Sequence, residues 1–141
     1  MNKNPNHSKL QGIFKPQTET VKLSSSNKEC VFCKIARAEI KAEKVAESDN
    51  FIAILDAHPK AEGHTLIIPK KHLVTILDIP EKLSAEMLKI IKKVSSYILE
   101  KKKGDGFNIL MNNLPPAGQI VMHAHIHIIP RNENDGLRII S

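Results

Sequence analysis

The chain has 141 residues, 41% of them hydrophobic and 26% charged, with a net charge of +6. That length and balance suit one globular domain with its own core and leave too little for two. No apolar run approaches the roughly 20 residues that cross a bilayer, which argues against a membrane partner. The Lys-rich segments 1–29 and 81–103 hold the whole positive excess, so nucleic acid is not an expected partner of the remainder.

Residues 1–28 are polar and are expected to be a flexible extension, with the folded domain over 29–141. The first residues lack the apolar run of a secretory signal, so a cytoplasmic location is expected. Cys30 and Cys33 follow, spaced C-x-x-C. In a cytoplasmic chain that spacing reads as a metal clip, a pair of structural thiols or a redox pair rather than a structural disulfide. A short helix is expected over 31–37 and a short strand over 44–47.

Phe51–Asp56 and His64–Pro69 are rich in β-branched residues and read as two strands of a hairpin with a long connection. Residues 70–79 include a short helical piece. A long helix is expected from Pro80 to about Lys102, with an apolar stripe of Leu83, Met87, Ile91, Val94 and Ile98. Gly104-Asp105-Gly106 ends it, Phe107–Asn112 is a further strand, and residues 113–118 form a Pro/Gly loop.

The stretch Val121–Pro130 carries the chemistry. His123, His125 and His127 alternate with apolar residues, so a strand would turn all three imidazoles to one face and Ala124, Ile126 and Ile128 to the other. One histidine on a strand is usually structural; three in alternation point to a site, because imidazole serves as nucleophile, hydrogen-bond donor and metal ligand near neutral pH. The element order suggests an α+β domain built on an antiparallel sheet.

This run resembles the signature of the histidine triad family. Asp56, His64, the segment Ile67–His72, Asn112 and Gly118-Gln119 also fall where that family carries similar residues, and the likeness covers about residues 30–131. It is closest to the small bacterial Hint-like branch, which often has C-x-x-C near its start. The resemblance implies a HIT-like fold: a five-stranded antiparallel sheet with one long and one or two short helices, usually as a homodimer. It also implies hydrolysis or transfer of purine nucleoside monophosphates from phosphoramidates or related α-phosphate bonds, through a nucleotidyl-histidine. On that likeness His125 is the nucleophile, His127 contacts the α-phosphate and leaving atom, and His64 supports them. Asp56 takes the ribose, and Asn112, Gly118 and Gln119 lie on the phosphate side. Cys30, Cys33, His72 and His123 match the zinc ligands of the Zn2+-bearing members.

The chain departs from the family pattern at three places. Ile120 stands where many members have serine, Ala57 and His58 alter the expected base pocket, and only eleven residues follow Pro130. The alternatives are a dinucleoside polyphosphate hydrolase, which would use the same nucleophile with a different leaving group, and a nucleotide- or partner-binding module with little turnover, to which Ile120 and the short tail give weight.

Overall fold

The computed structural model describes residues 28–139, so the expected extension lies almost wholly outside the described residues. Helix α1 (Val31–Ala36) is followed by strands β1 (Lys44–Glu47), β2 (Phe51–Leu55) and β3 (Thr65–Pro69). After two short 3-10 turns (Ile76–Asp78 and Glu81–Leu83) come the long helix α2 (Ser84–Glu100) and strand β4 (Gly106–Leu110). A third 3-10 turn (Pro115–Ala117) precedes strand β5 (Ile126–Arg131). The five strands form one antiparallel sheet in the order β1-β2-β3-β5-β4, as expected for the α+β, HIT-like fold.

Strand alternation sorts the core into two halves. Phe51 and Ala53 of β2, Ile67 of β3, and Ile126 and Ile128 of β5 pack against Ile90, Val94 and Ile98 of α2. Ile52 and Ile54 of β2 and Leu66 and Ile68 of β3 face the other way, with Phe32 of α1. Both faces of the central strands are therefore covered, which is why β2 and β3 read as unbroken apolar runs. Each fully buried side chain of this size stabilises the fold by about 1.5–3 kcal/mol. The buried stripe of α2 is centred on Ile90, which the sequence pattern passed over; Leu83, Met87 and Ile91 flank it, half-buried.

The histidine strand is shorter than expected at its start. β5 begins at Ile126, and Pro130 lies inside it rather than at its end. The register that pairs Ile67 with Ile126 would set Pro69 opposite Ala124, and Pro69 has no N–H to offer the ladder. Instead the Ala124 N–H donates to the Leu73 carbonyl at 2.6 Å. Pro130 is tolerated because the β3 ladder ends at Ile128, leaving its β3-facing side free of pairing. Among the described residues no helix is long and apolar enough to cross a membrane.

Candidate active site

The triad histidines still share the α1 side of the sheet. Phe32 makes edge contacts with the rings of His123 (centroids 5.8 Å apart) and His125 (5.1 Å), and His125 lies 5.0 Å from His127. Phe32 sits inside the C-x-x-C spacing and ties the helix that carries Cys33 to the triad rings, a role the sequence signals only as an apolar residue between two thiols.

The backbone sets the chemistry of His125. Its Nδ1–H donates to the His123 carbonyl at 2.7 Å. With that tautomer the lone pair lies on Nε2. That atom has no hydrogen-bond partner among the described residues, yet no buried side-chain nitrogen there is left unsatisfied, so Nε2 reaches the surface. A committed Nδ1 and an open Nε2 make a nucleophile that needs no separate base.

A second chain of bonds orients His127. The Lys60 N–H donates to His64 Nδ1 at 3.0 Å, so the proton of His64 sits on Nε2. Nε2–H in turn donates to His127 Nδ1 at 2.9 Å, which leaves the His127 proton on Nε2, free to donate outward. Asp56 Oδ2 is 3.5 Å from His64 Nε2, and Oδ1 accepts the His58 N–H at 2.9 Å. The part played by the Lys60 main chain has no sequence signal.

Burial drives these rings toward neutrality. His127 is pushed down to about 4 by desolvation first, then by His125 and His64; His64 is also lowered, chiefly by burial. A neutral buried imidazole costs stability once the unfolded chain can protonate. We therefore expect stability to hold above about pH 6.5 and to fall as the pH drops toward 4. The urea midpoint measured between pH 7.5 and 4.5 checks this, and His127→Asn should flatten the decline.

Cys30, Cys33, His72 and His123 converge so that their ligand atoms all lie within 4.8 Å of one another. Cys33 Sγ is 3.2 Å from His72 Nδ1 and 3.5 Å from His123 Nδ1, and Cys30 Sγ is 3.4 Å from His123 Nδ1. Neither cysteine is in a disulfide. Sulfur and nitrogen bound at about 2.3 and 2.0 Å to one tetrahedral ion lie roughly 3.5 Å apart, so the donor set fits a metal. The His123 Nε2–H donates to the Pro69 carbonyl at 2.8 Å, the outer bond that directs Nδ1 toward a metal. Burial lowers the pKa of His72 and takes that of His123 to about 4, keeping both in the ligating form.

The remaining predicted residues divide. Asp56 is half-buried and Ala57 exposed at the end of β2; Asn112 and Gly118 meet in the loop before the triad. Gly118 has φ +93°, and a Cβ there would lie 3.6 Å from Asn112 Nδ2. Gln119 does not line the surface: it is 4% exposed, and both ends of its amide bond to main chain. Ile120 is 91% exposed. Leu114, not singled out from the sequence, has φ 73° and ψ 156°, a region of the map that is essentially glycine territory and costs of order 1–3 kcal/mol.

A family model for the HIT domain matches residues 37–134. An adenylylsulfatase of Arabidopsis thaliana, HINT3, is 44% identical over 117 residues; the match spans 83% of this chain but 59% of that protein. The adenosine 5'-monophosphoramidase HNT1 of Saccharomyces cerevisiae is 40% identical over 129 residues, 89% of this chain and 79% of that one. The crystal structure of a Zn-bound histidine triad family protein from Mycobacterium smegmatis superposes with a TM-score of 0.73 at 38% identity, covering 79% of this chain and 81% of that one.

Proposed function

This chain belongs to the HIT domain family, and on that premise we propose that it hydrolyses or transfers nucleoside monophosphates from phosphoramidates. The observation that carries the reading is the open Nε2 of His125, whose Nδ1–H is held by the His123 carbonyl. Nε2 attacks the α-phosphorus, the P–N bond to the leaving group breaks, and the leaving nitrogen takes a proton from solvent. His127 Nε2–H donates a hydrogen bond to the departing atom as charge develops on it. Water then attacks phosphorus, the bond to His125 breaks, its electron pair returns to Nε2, and one proton of the water passes to solvent. His64 acts through His127, holding its tautomer.

The half-buried carboxylate of Asp56 offers acceptors for ribose hydroxyls beside Ala57. Asn112 and Gly118 present the phosphate side, with Ile120 next to them where a hydroxyl is usual. We assign zinc to Cys30, Cys33, His72 and His123, where it would clip α1 to the sheet; a pair of thiols kept for a metal accords with the cytoplasm. β4 is one of the two edges of the sheet, and its Ile109 is 54% exposed; we place the homodimer contact along it. Turnover of adenosine 5'-phosphoramidate against a diadenosine polyphosphate tests the substrate class. The phosphoramidate is expected to be used at least about tenfold faster, which corresponds to 1.4 kcal/mol in the barrier. The reverse order would favour the polyphosphate reading.

A further inference from the structure

The loop ahead of the triad is held in a conformation its sequence does not favour. Leu114 occupies φ 73°, ψ 156°, where a side chain is strained and glycine is not. Both of its backbone groups are engaged. The N–H donates to Gln119 Oε1 at 2.6 Å. The carbonyl accepts from the Ala117 N–H at 3.0 Å and the Gln119 N–H at 3.2 Å. Gln119 thus grips Leu114 from both sides, through its main chain and its amide.

The same amide ties the loop to its neighbour. Gln119 Nε2 donates to the Val74 carbonyl at 2.7 Å and the Val121 carbonyl at 3.1 Å. Asn113 Oδ1 adds a second tie, accepting the Ile76 N–H at 2.8 Å. The receiving segment is itself rigid. Thr75 accepts the Leu77 N–H, and Asp78 accepts the Thr75 N–H at 2.8 Å, closing a capping box. The two residues just before that segment meet the triad stretch, since the ring of His72 lies 5.1 Å from that of His123 and the Leu73 carbonyl takes the Ala124 N–H.

We propose that Gln119 is a positioning residue: its buried amide holds Leu114 in a glycine-like conformation, welds the Asn112–Gly118 loop to Val74, and so presents that loop to the substrate phosphate. This rests on reading the loop as the phosphate side of the site. Gln119→Met keeps the volume and removes the three bonds of the amide while leaving the main-chain bond; Leu114→Gly makes the conformation free of strain.

A double-mutant cycle of these two changes tests the proposal, read by amide hydrogen exchange over residues 114–121 and by the single-turnover rate of nucleotidyl transfer. Gln119→Met is expected to raise exchange there and to slow transfer about tenfold well below its melting temperature. In the Leu114→Gly background the same change should cost less than about threefold. Leu114→Gly alone should raise the melting temperature by a few degrees, because relief of strain exceeds the added freedom of the unfolded chain. Equal losses in both backgrounds, or a melting temperature lowered by Leu114→Gly alone, would overturn the clamp. If the unaltered protein forms no nucleotidyl adduct, the catalytic reading has failed, and the exchange and melting results still decide whether Gln119 holds the loop.

Discussion

His125→Ala is expected to abolish turnover, with a loss of at least about 10⁴-fold, or some 5 kcal/mol in the barrier. The size of the effect follows from the arrangement. His125 is the member of the triad whose Nδ1 is committed to a carbonyl and whose Nε2 is left open. His127 accepts the His64 Nε2–H at its Nδ1, so its Nε2 carries the proton and can donate but not attack. His123 has both ring nitrogens engaged as well, so neither other member of the triad is placed to take over. Nucleotide affinity should be nearly unchanged, because the residues proposed to take the ribose and phosphate are chiefly others. Added imidazole should restore part of the rate to His125→Gly, where a cavity replaces the ring. Unchanged turnover in His125→Ala would remove the covalent reading altogether.

The second large effect concerns the four-ligand cluster. Cys33→Ala or chelation is expected to lower the melting temperature by roughly 10 °C, corresponding to about 3 kcal/mol. Differential scanning calorimetry with metal analysis on the same sample measures it. The loss should reach the reaction as well, since one residue joins the two sites. The side chain of His123 belongs to the cluster and its carbonyl holds the ring of His125. His123 is wholly buried, so displacement of its ring is expected to shift that carbonyl. His72 adds a parallel link through the neighbouring Leu73 carbonyl and the Ala124 N–H. A protein that kept its melting temperature after loss of Cys33 would show that the cluster holds nothing of consequence.

Most of the fold was legible because hydrophobic period and chain punctuation agree along it. Phe51–Leu55 and Thr65–Pro69 announce strands by composition, and Pro80 and Gly104 bracket the long helix. The stripe was read one residue off centre, since Ile90 and Ile91 are both apolar and only packing chooses between them. The period of two correctly put His125 and His127 on one face. It could not say that the ladder stops at Pro69, because that depends on which strand lies opposite. The four clustered ligands come from three distant parts of the chain, and family likeness, not spacing, joined them. Gln119 shows the limit most clearly: beside Gly118 it looks like a ligand contact, yet its amide is spent on Leu114 and Val74. Nothing in a sequence marks a leucine as held at a positive φ, since that angle is imposed by bonds closed in three dimensions.

A covalent bond between nucleotide and His125 Nε2 is the step on which the proposed reaction depends. It is tested by mixing protein with adenosine 5'-phosphoramidate, quenching in base to preserve the acid-labile P–N bond, and mapping the adduct by peptide mass spectrometry. An adenylyl group is expected on the peptide holding His125, formed no more slowly than turnover and absent from His125→Ala. Product released without any adduct in the first turnover, or an adduct on another residue, would contradict it.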